Sequence, residues 1–413
     1  MMRNLQFTSK ALVICVMFLI PIAAFGWFYN ISALDAINFS SKERLGVEYN
    51  REIFPVIEFA QQLRRDATSA IASGKEPETM AAVKEKLLAA QAKLAEVNTR
   101  LSNDLGTAKT FAAVQAAYTQ SSNGKDVESV FAAHTAHVDA LLALISQVTD
   151  GSNLTLDPDI DSYFVMDAAL FRVPDIIESS AKLRGLGLSI LKIGAITPAQ
   201  QKNLSELIPI AEFQARNMRD DLAKAVVFNA DLKAKINAIP TMEDTSAFFV
   251  LARKSVIDSQ DFAPEAQTAL LAGANKAING QYQLEQRLLT ELDALLEKRV
   301  TSSKTTLYLI DSIVLLFIFL ASYLFYSFFI VTRGGLLLVS KHLQEMAEGD
   351  LRQMPAKPWG RDEPAAVIID LRKAYDALHE LIRTVRHSAR ALHATSEEVA
   401  VASLDLSGRT EAA

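Results

Sequence analysis

Residues 305–330, TTLYLIDSIVLLFIFLASYLFYSFFI, decide the fold. An α-helix of about 20 apolar residues crosses the roughly 30 Å hydrocarbon core of a bilayer. This run exceeds that length, carries one charge (Asp311, near its start) and is studded with Tyr308, Tyr323, Tyr326, Phe328 and Phe329. Arg333 and a glycine pair follow, and then Leu336, Val339, Leu343 and Met346, spaced three, four, three. That spacing is the apolar seam of a coiled coil. A membrane helix that continues into an amphipathic helix is suited to carrying a displacement across a membrane, with a sensor before it and a relay after it.

Working outward, the 413 residues leave room for two or three domains. Half are hydrophobic, with Ala and Leu dominant and Gly and Pro modest, a balance that favours long helices over sheets. The net charge of −6 provides no broad basic surface to neutralise phosphates, so no nucleic-acid partner is expected. The single cysteine, Cys15, excludes an intramolecular disulfide and a cysteine metal cluster.

A second apolar run, Ala11–Tyr29, follows Arg3 and Lys10. Its basic start and Ala23-Ala24 fit a cleaved secretory signal. The run continues through Phe25, Trp27, Phe28 and Tyr29, however, and reaches spanning length with an aromatic belt, which favours an uncleaved membrane helix. Two spans place both chain ends on one side of the membrane. Basic residues flank both spans on both sides, and long segments translocate largely regardless of charge, so residues 30–304 are free to lie outside.

That middle segment reads as helical throughout. Breaks are expected at Ser73-Gly74, Leu105-Gly106, Asn123-Gly124, Gly151, Gly194, Ile239-Pro240 and Ala263-Pro264. Thr197-Pro198-Ala199-Gln200 has the cap, first-turn proline and third-position glutamine of a helix start. Lys75-Glu76-Pro77-Glu78 and Asp261 to Glu265 are similar starts. The segment is nearly twice the size of one four-helix bundle, which suggests two stacked four-helix bundles sharing long helices; one large irregular bundle is the alternative. Asp157-Pro158-Asp159-Ile160-Asp161 invites a calcium reading, but lacks the glycine and glutamate that a calcium loop places at its sixth and twelfth positions. A helix start capped by Asp157, with Pro158 in its first position, is expected instead.

Candidate ligand-binding residues are arginines, because the guanidinium fork matches a carboxylate. Arg64 and Arg65 sit late in the first helix, and Arg172 and Arg184 lie within a largely apolar one. Ion pairing with Glu43, Glu48, Asp66 or Glu178 is the plainer role for them. His134 and His137 lack a third metal ligand at suitable spacing. No glycine-rich phosphate loop and no nucleophile elbow occurs, so no catalytic residue, metal site or cofactor is expected and the chain is not read as an enzyme.

After the second span, Glu348-Gly349-Asp350-Leu351 ends the first seam helix, and Pro355, Pro358 and Gly360 form an extended connector. Ile368, Leu371, Tyr375, Leu378, Ile382 and Val385 then repeat the seam. Two such helices cannot bury their seams alone, and a homodimer solves this as a parallel four-helix bundle. Residues 331–385, with Gly360-Arg361-Asp362-Glu363 opening the second helix, resemble a HAMP signal-relay domain. Two departures stand out: Gly334 where the family usually carries proline, and Pro364 where it carries an apolar β-branched residue. Asp405-Leu406-Ser407-Gly408-Arg409-Thr410-Glu411 resembles the start of the signalling domain of methyl-accepting chemotaxis proteins.

The resemblance implies an all-α, dimeric receptor of a bacterial inner membrane. Its divisions would be a cytoplasmic N-terminus (1–10), a first span (11–29), a periplasmic helical ligand-binding domain (30–304), a second span (305–330), HAMP (331–385) and the start of a signalling helix (386–413). It implies a small-molecule ligand such as an organic acid. Relay residues would be Leu336, Val339, Leu343, Met346, Glu363, Ile368, Leu371, Leu378 and Ile382. The chain ends before the output domain, so control of a chemotaxis kinase and its coupling protein would need residues absent from it. The same sensor and relay can precede a histidine kinase or a cyclic-di-nucleotide enzyme, and a membrane scaffold is the non-sensing alternative.

Overall fold

The structure is a computed structural model that describes residues 5–411, with no account of the side chains of Pro264 and of residues 409–411. Arg3, expected to flank the first span, lies outside the described residues, as do the side chains of Arg409, Thr410 and Glu411. Every regular element among the described residues is helical. In chain order these are α1 (Phe7–Ser73), α2 (Met80–Leu105), α3 (Ala108–Gln120), α4 (Val127–Gly151), α5 (Ile160–Asp167), α6 (Val173–Ile193), α7 (Pro198–Phe228), α8 (Leu232–Ile236), α9 (Ile239–Ala252), α10 (Pro264–Ala347) and α11 (Glu363–Glu411). Six of the seven expected breaks fall at or within a residue or two of a helix end, and Asn123-Gly124 falls between α3 and α4, at the end of a 3-10 turn over Ser121–Asn123.

The chain forms two compact units. One comprises residues 29–307, and the other residues 1–28 with residues 308–413. In the first, hydrogen bonds and ion pairs fix the direction of each helix. α1 and α10 are antiparallel, with Arg44 on Asp293 and Gln61 on Tyr282. α6 runs parallel to α1: Gly46 packs against Ser152 and Leu154 just before it, Arg64 meets Glu178, and Ser69 meets Lys192 at its end. α6 is antiparallel to α10 through Ser180–Gln281 and Leu191–Gln267. These three helices are the spine. α2 descends beside α1, with Asn98 accepting from Tyr49, and α4 joins through Thr135. α7 descends beside α6, and α9 beside α10.

α6 therefore packs along the later part of α1 and the first part of α10. The apolar core of this unit is a single cluster that includes Leu87 of α2, Leu144 of α4, Leu204 of α7 and Phe248 of α9.

Local chemistry explains most of the ends. Thr197 accepts from the Gln200 amide while the Gln200 side chain accepts from the Thr197 amide, closing a capping box with Pro198 in the first turn. Asp157 departs from expectation: α5 begins at Ile160, and Asp157 instead accepts from the Asp159 amide and from Arg299. Two helices contain π turns, at Ala168–Arg172 between α5 and α6 and at Arg253–Ile257 after α9. Such turns insert one residue into a helix.

Three helices are long and apolar enough to cross a membrane: α1, α4 and α10. The apolar residues of α4 are already used in the core, among them Leu141, Leu144, Ile145 and Val148. Those of α1 and α10 are exposed, including Phe18, Phe25, Leu316 and Phe319.

In the second unit, the tail of α10 and the head of α11 pair in parallel. Gly335 packs on Pro364, Tyr375 donates to the His342 carbonyl at 3.0 Å, and His379 Nε2 lies 2.9 Å from the Leu351 carbonyl. Gly349 ends α10 in the left-handed region at φ +83°, where glycine pays no Cβ penalty. Residues 348–362 return the chain to the start of α11, where Asp362 accepts from the Ala365 amide.

Candidate functional site

Three of the four candidate arginines are already matched by carboxylates. Arg64 is fully buried and binds Glu178 through two bonds, 2.6 and 3.0 Å, while its guanidinium lies 5.0 Å from the Phe131 ring centroid. Burial pushes the Glu178 carboxyl up, but Arg64 outweighs it and holds the group below its ordinary range. Arg65 pairs with Asp66, which also accepts from Thr79. Arg172 faces Asp167 at 2.8 Å, Asp221 at 3.5 Å and Gln214.

Arg184 differs. It is buried with Asn275 as the partner of its Nη1, and its Nε has none among the described residues. Burial, followed by the nearby Arg65, lowers its pKa to about 10. His134 and His137 are buried, and burial lowers each to about 4, so both are neutral core residues at pH 7. No group of three or more metal-ligating side chains occurs among the described residues.

None of these arginines lines the cavity with the best-formed chemistry. That cavity, about 370 Å³, lies between α6, α7, α9 and α10. Val173, Ile176, Met218, Phe249 and Leu284 supply apolar wall, and Glu212, Arg216 and Arg219 of α7 are exposed beside it. Residues three apart share a helix face, which is why both arginines reach one cavity. Neither has an ion pair among the described residues. The volume falls in the ordinary range for small-ligand sites.

The polar side is set by a chain of hydrogen bonds. Thr245 donates its hydroxyl to the Thr241 carbonyl at 2.7 Å, so it has no hydrogen left to give Gln281. Gln281 must therefore present its amide nitrogen to Thr245, at 2.9 Å, and this nitrogen also donates to Ser180 at 3.0 Å. That fixes the amide orientation and leaves Gln281 Oε1, buried, with no partner. Arg216, Arg219 and Gln281 were missed from the sequence. The arginine pair at three-residue spacing was the available signal, whereas the Gln281 acceptor depends on contacts from α6 and α9 that no local pattern reveals.

Where α10 packs on the start of the first unit, Arg299 gathers three carboxylates: Glu43 at 3.0 Å, Asp157 at 2.6 Å and Asp159 at 2.6 Å. One cation cannot neutralise three anions. Burial, then repulsion from Asp157, raises Glu43 to about 8 despite Arg299.

The relay residues divide into two groups. Ile368 and Leu371 are buried between α10 and α11 with Tyr375 and His342, and Val339 and Met346 are half-buried. Leu336, Leu343, Leu378 and Ile382 are exposed, as is Glu363 at the first position of α11. Compared with known proteins, the chain matches no family model, no curated protein and no solved structure.

Proposed function

We propose that the chain is the sensing and relay portion of a dimeric transmembrane chemoreceptor of a bacterial inner membrane. α1 and α10 cross the bilayer, residues 30–304 sense a small molecule in the periplasm, and residues 331–385 act as a HAMP relay. The observation that carries this reading is the parallel pairing of the α10 tail with the head of α11, joined by a connector and following directly on an apolar helix. Antiparallel pairing is what a short loop gives; a 15-residue return leaves four exposed seam leucines and isoleucines that a second copy covers. A small displacement of one span against the other would then bias the relay between two packings. The output of such a relay would be control of a chemotaxis kinase through its coupling protein.

Cysteine cross-linking of full-length chain in membranes tests it. In a Cys15→Ser background, Leu336→Cys, Leu343→Cys and Ile382→Cys should each give disulfide-linked dimers. Gln344→Cys, one position off the seam, should not. Equal cross-linking at all four positions, or none at any, removes the dimeric relay.

A further inference from the structure

We propose that the cavity between α6, α7, α9 and α10 binds a small carboxylate that has an apolar body and carries an N–H or O–H donor, the chemistry of an α-amino or α-hydroxy acid. The inference rests on reading residues 30–304 as a sensor, and it names the site and the ligand class.

Three observations converge. First, Gln281 Oε1 is a buried acceptor beside the cavity, and its orientation is locked by two hydroxyls on the other side of the amide. A buried polar atom left unsatisfied is unfavourable, and only a donor relieves it. The neighbouring hydroxyls cannot turn to help: the Thr245 hydrogen is held by the Thr241 carbonyl, and Thr241 donates to the Gly280 carbonyl at 3.3 Å. A ligand that brings its own donor would supply the missing bond. Second, Arg216 and Arg219 offer two guanidinium forks with no ion pair among the described residues, unlike Arg64, Arg65 and Arg172, and they outnumber the one carboxylate of the lining, Glu212. A carboxylate matches such a fork bidentately. Third, the wall between these polar ends is apolar, from Val173, Ile176, Met218, Phe249 and Leu284, so the ligand body is a hydrocarbon.

The neighbouring cavity at Arg172 lacks this balance. Asp167 and Asp175 line it as well, and Arg172 is already held by Asp167. An anion there would meet two carboxylates. The distal cavity near His134 contains Glu76 and Lys84 together, and so carries no net preference for an anion.

The test uses the chain in lipid nanodiscs and isothermal titration calorimetry with four probes that share one branched alkyl chain. These are leucine, its α-hydroxy counterpart, isocaproate (carboxylate, no donor) and isoamylamine (donor, no carboxylate). Leucine and the hydroxy acid should bind about tenfold more tightly than isocaproate, the worth of one hydrogen bond to a buried group. Gln281→Met should abolish that ratio. Arg216→Gln with Arg219→Gln should weaken every carboxylate and leave the ratio intact. Gln281→Glu serves if the methionine variant fails to fold, as judged by its melting curve; it should shift preference toward leucine over the hydroxy acid. Equal binding of leucine and isocaproate, a ratio that survives Gln281→Met, or no binding by any probe overturns the assignment. Cross-linking at Leu343 needs no ligand, so the receptor reading stands or falls separately.

Discussion

The Arg64–Glu178 pair allows the packing of the spine to be measured. Replacing Arg64 with Met strands a carboxylate whose side chain is 7% exposed. Breaking a buried pair in this way costs about 3–5 kcal/mol. Glu178 keeps Lys182 at 3.3 Å and the Gln61 amide at 2.8 Å, which places Arg64→Met near about 3 kcal/mol. Glu178→Met strands Arg64 with only Thr135, at 3.0 Å, and the Phe131 face, so the cost moves to about 5 kcal/mol. At about 2 °C per kcal/mol for a domain of this size, the two melting midpoints should fall by about 6 and 10 °C. Arg64→Met with Glu178→Met removes both charges and adds apolar volume, and should lie within about 1 kcal/mol of wild type. The assay is thermal melting followed by circular dichroism on the four chains of the cycle. A double variant as unstable as the sum of the singles would refute the buried, mutually compensating pair.

Glu43 predicts a pH dependence. The folded state holds its proton up to about 8, whereas the unfolded chain releases it near the ordinary value of 4.5. This group's contribution is therefore fully present below 4.5 and is lost as pH rises through 8. Melting midpoints should decline from pH 5 to pH 8, and Glu43→Gln should flatten that decline; an unchanged slope counts against it. A Cβ on Gly151 would strike the Leu105 carbonyl oxygen, so Gly151→Ala should cost about 1–3 kcal/mol by overpacking. Gly408→Ala, in a helix with open space around it, should be neutral or stabilising by up to about 1 kcal/mol in the same melting assay.

Much of the fold was legible because its cues are local. Gly74, Gly106 and Gly194 end helices in the left-handed region, and Thr197 with Gln200 closes its capping box within four residues. The seam from Leu336 to Ile382 is likewise a matter of spacing. What stayed hidden depends on residues far apart in the chain. Asp157 looked like a helix cap because Pro158 follows it, yet Arg299, 142 residues on, claims its carboxylate. Ion pairing was the plainer reading of Arg64 and Arg172, and Glu178 was among the expected partners, but Asp167 was not, because it reaches Arg172 across a π turn. Which neighbours each helix shares was invisible because helix length alone does not state them.

The Ala168–Arg172 turn has a consequence for helical phase. Asp167 and Arg172 are five residues apart and still meet at 2.8 Å, which a regular α-helix would prevent and the π turn permits. Deleting Ala169 would put the pair four apart, where an α-helix also brings side chains together. The ion pair is thus satisfied in either register. The flanking helix keeps its phase as well, because a π turn completes its turn with one residue more than an α turn, and removing that residue restores a regular helix. Val165 and Met166 would therefore keep their buried places. Length changes in proteins normally collect in loops. Here a mid-helix turn, with its ion pair, is placed to absorb a change of length inside a packed helix.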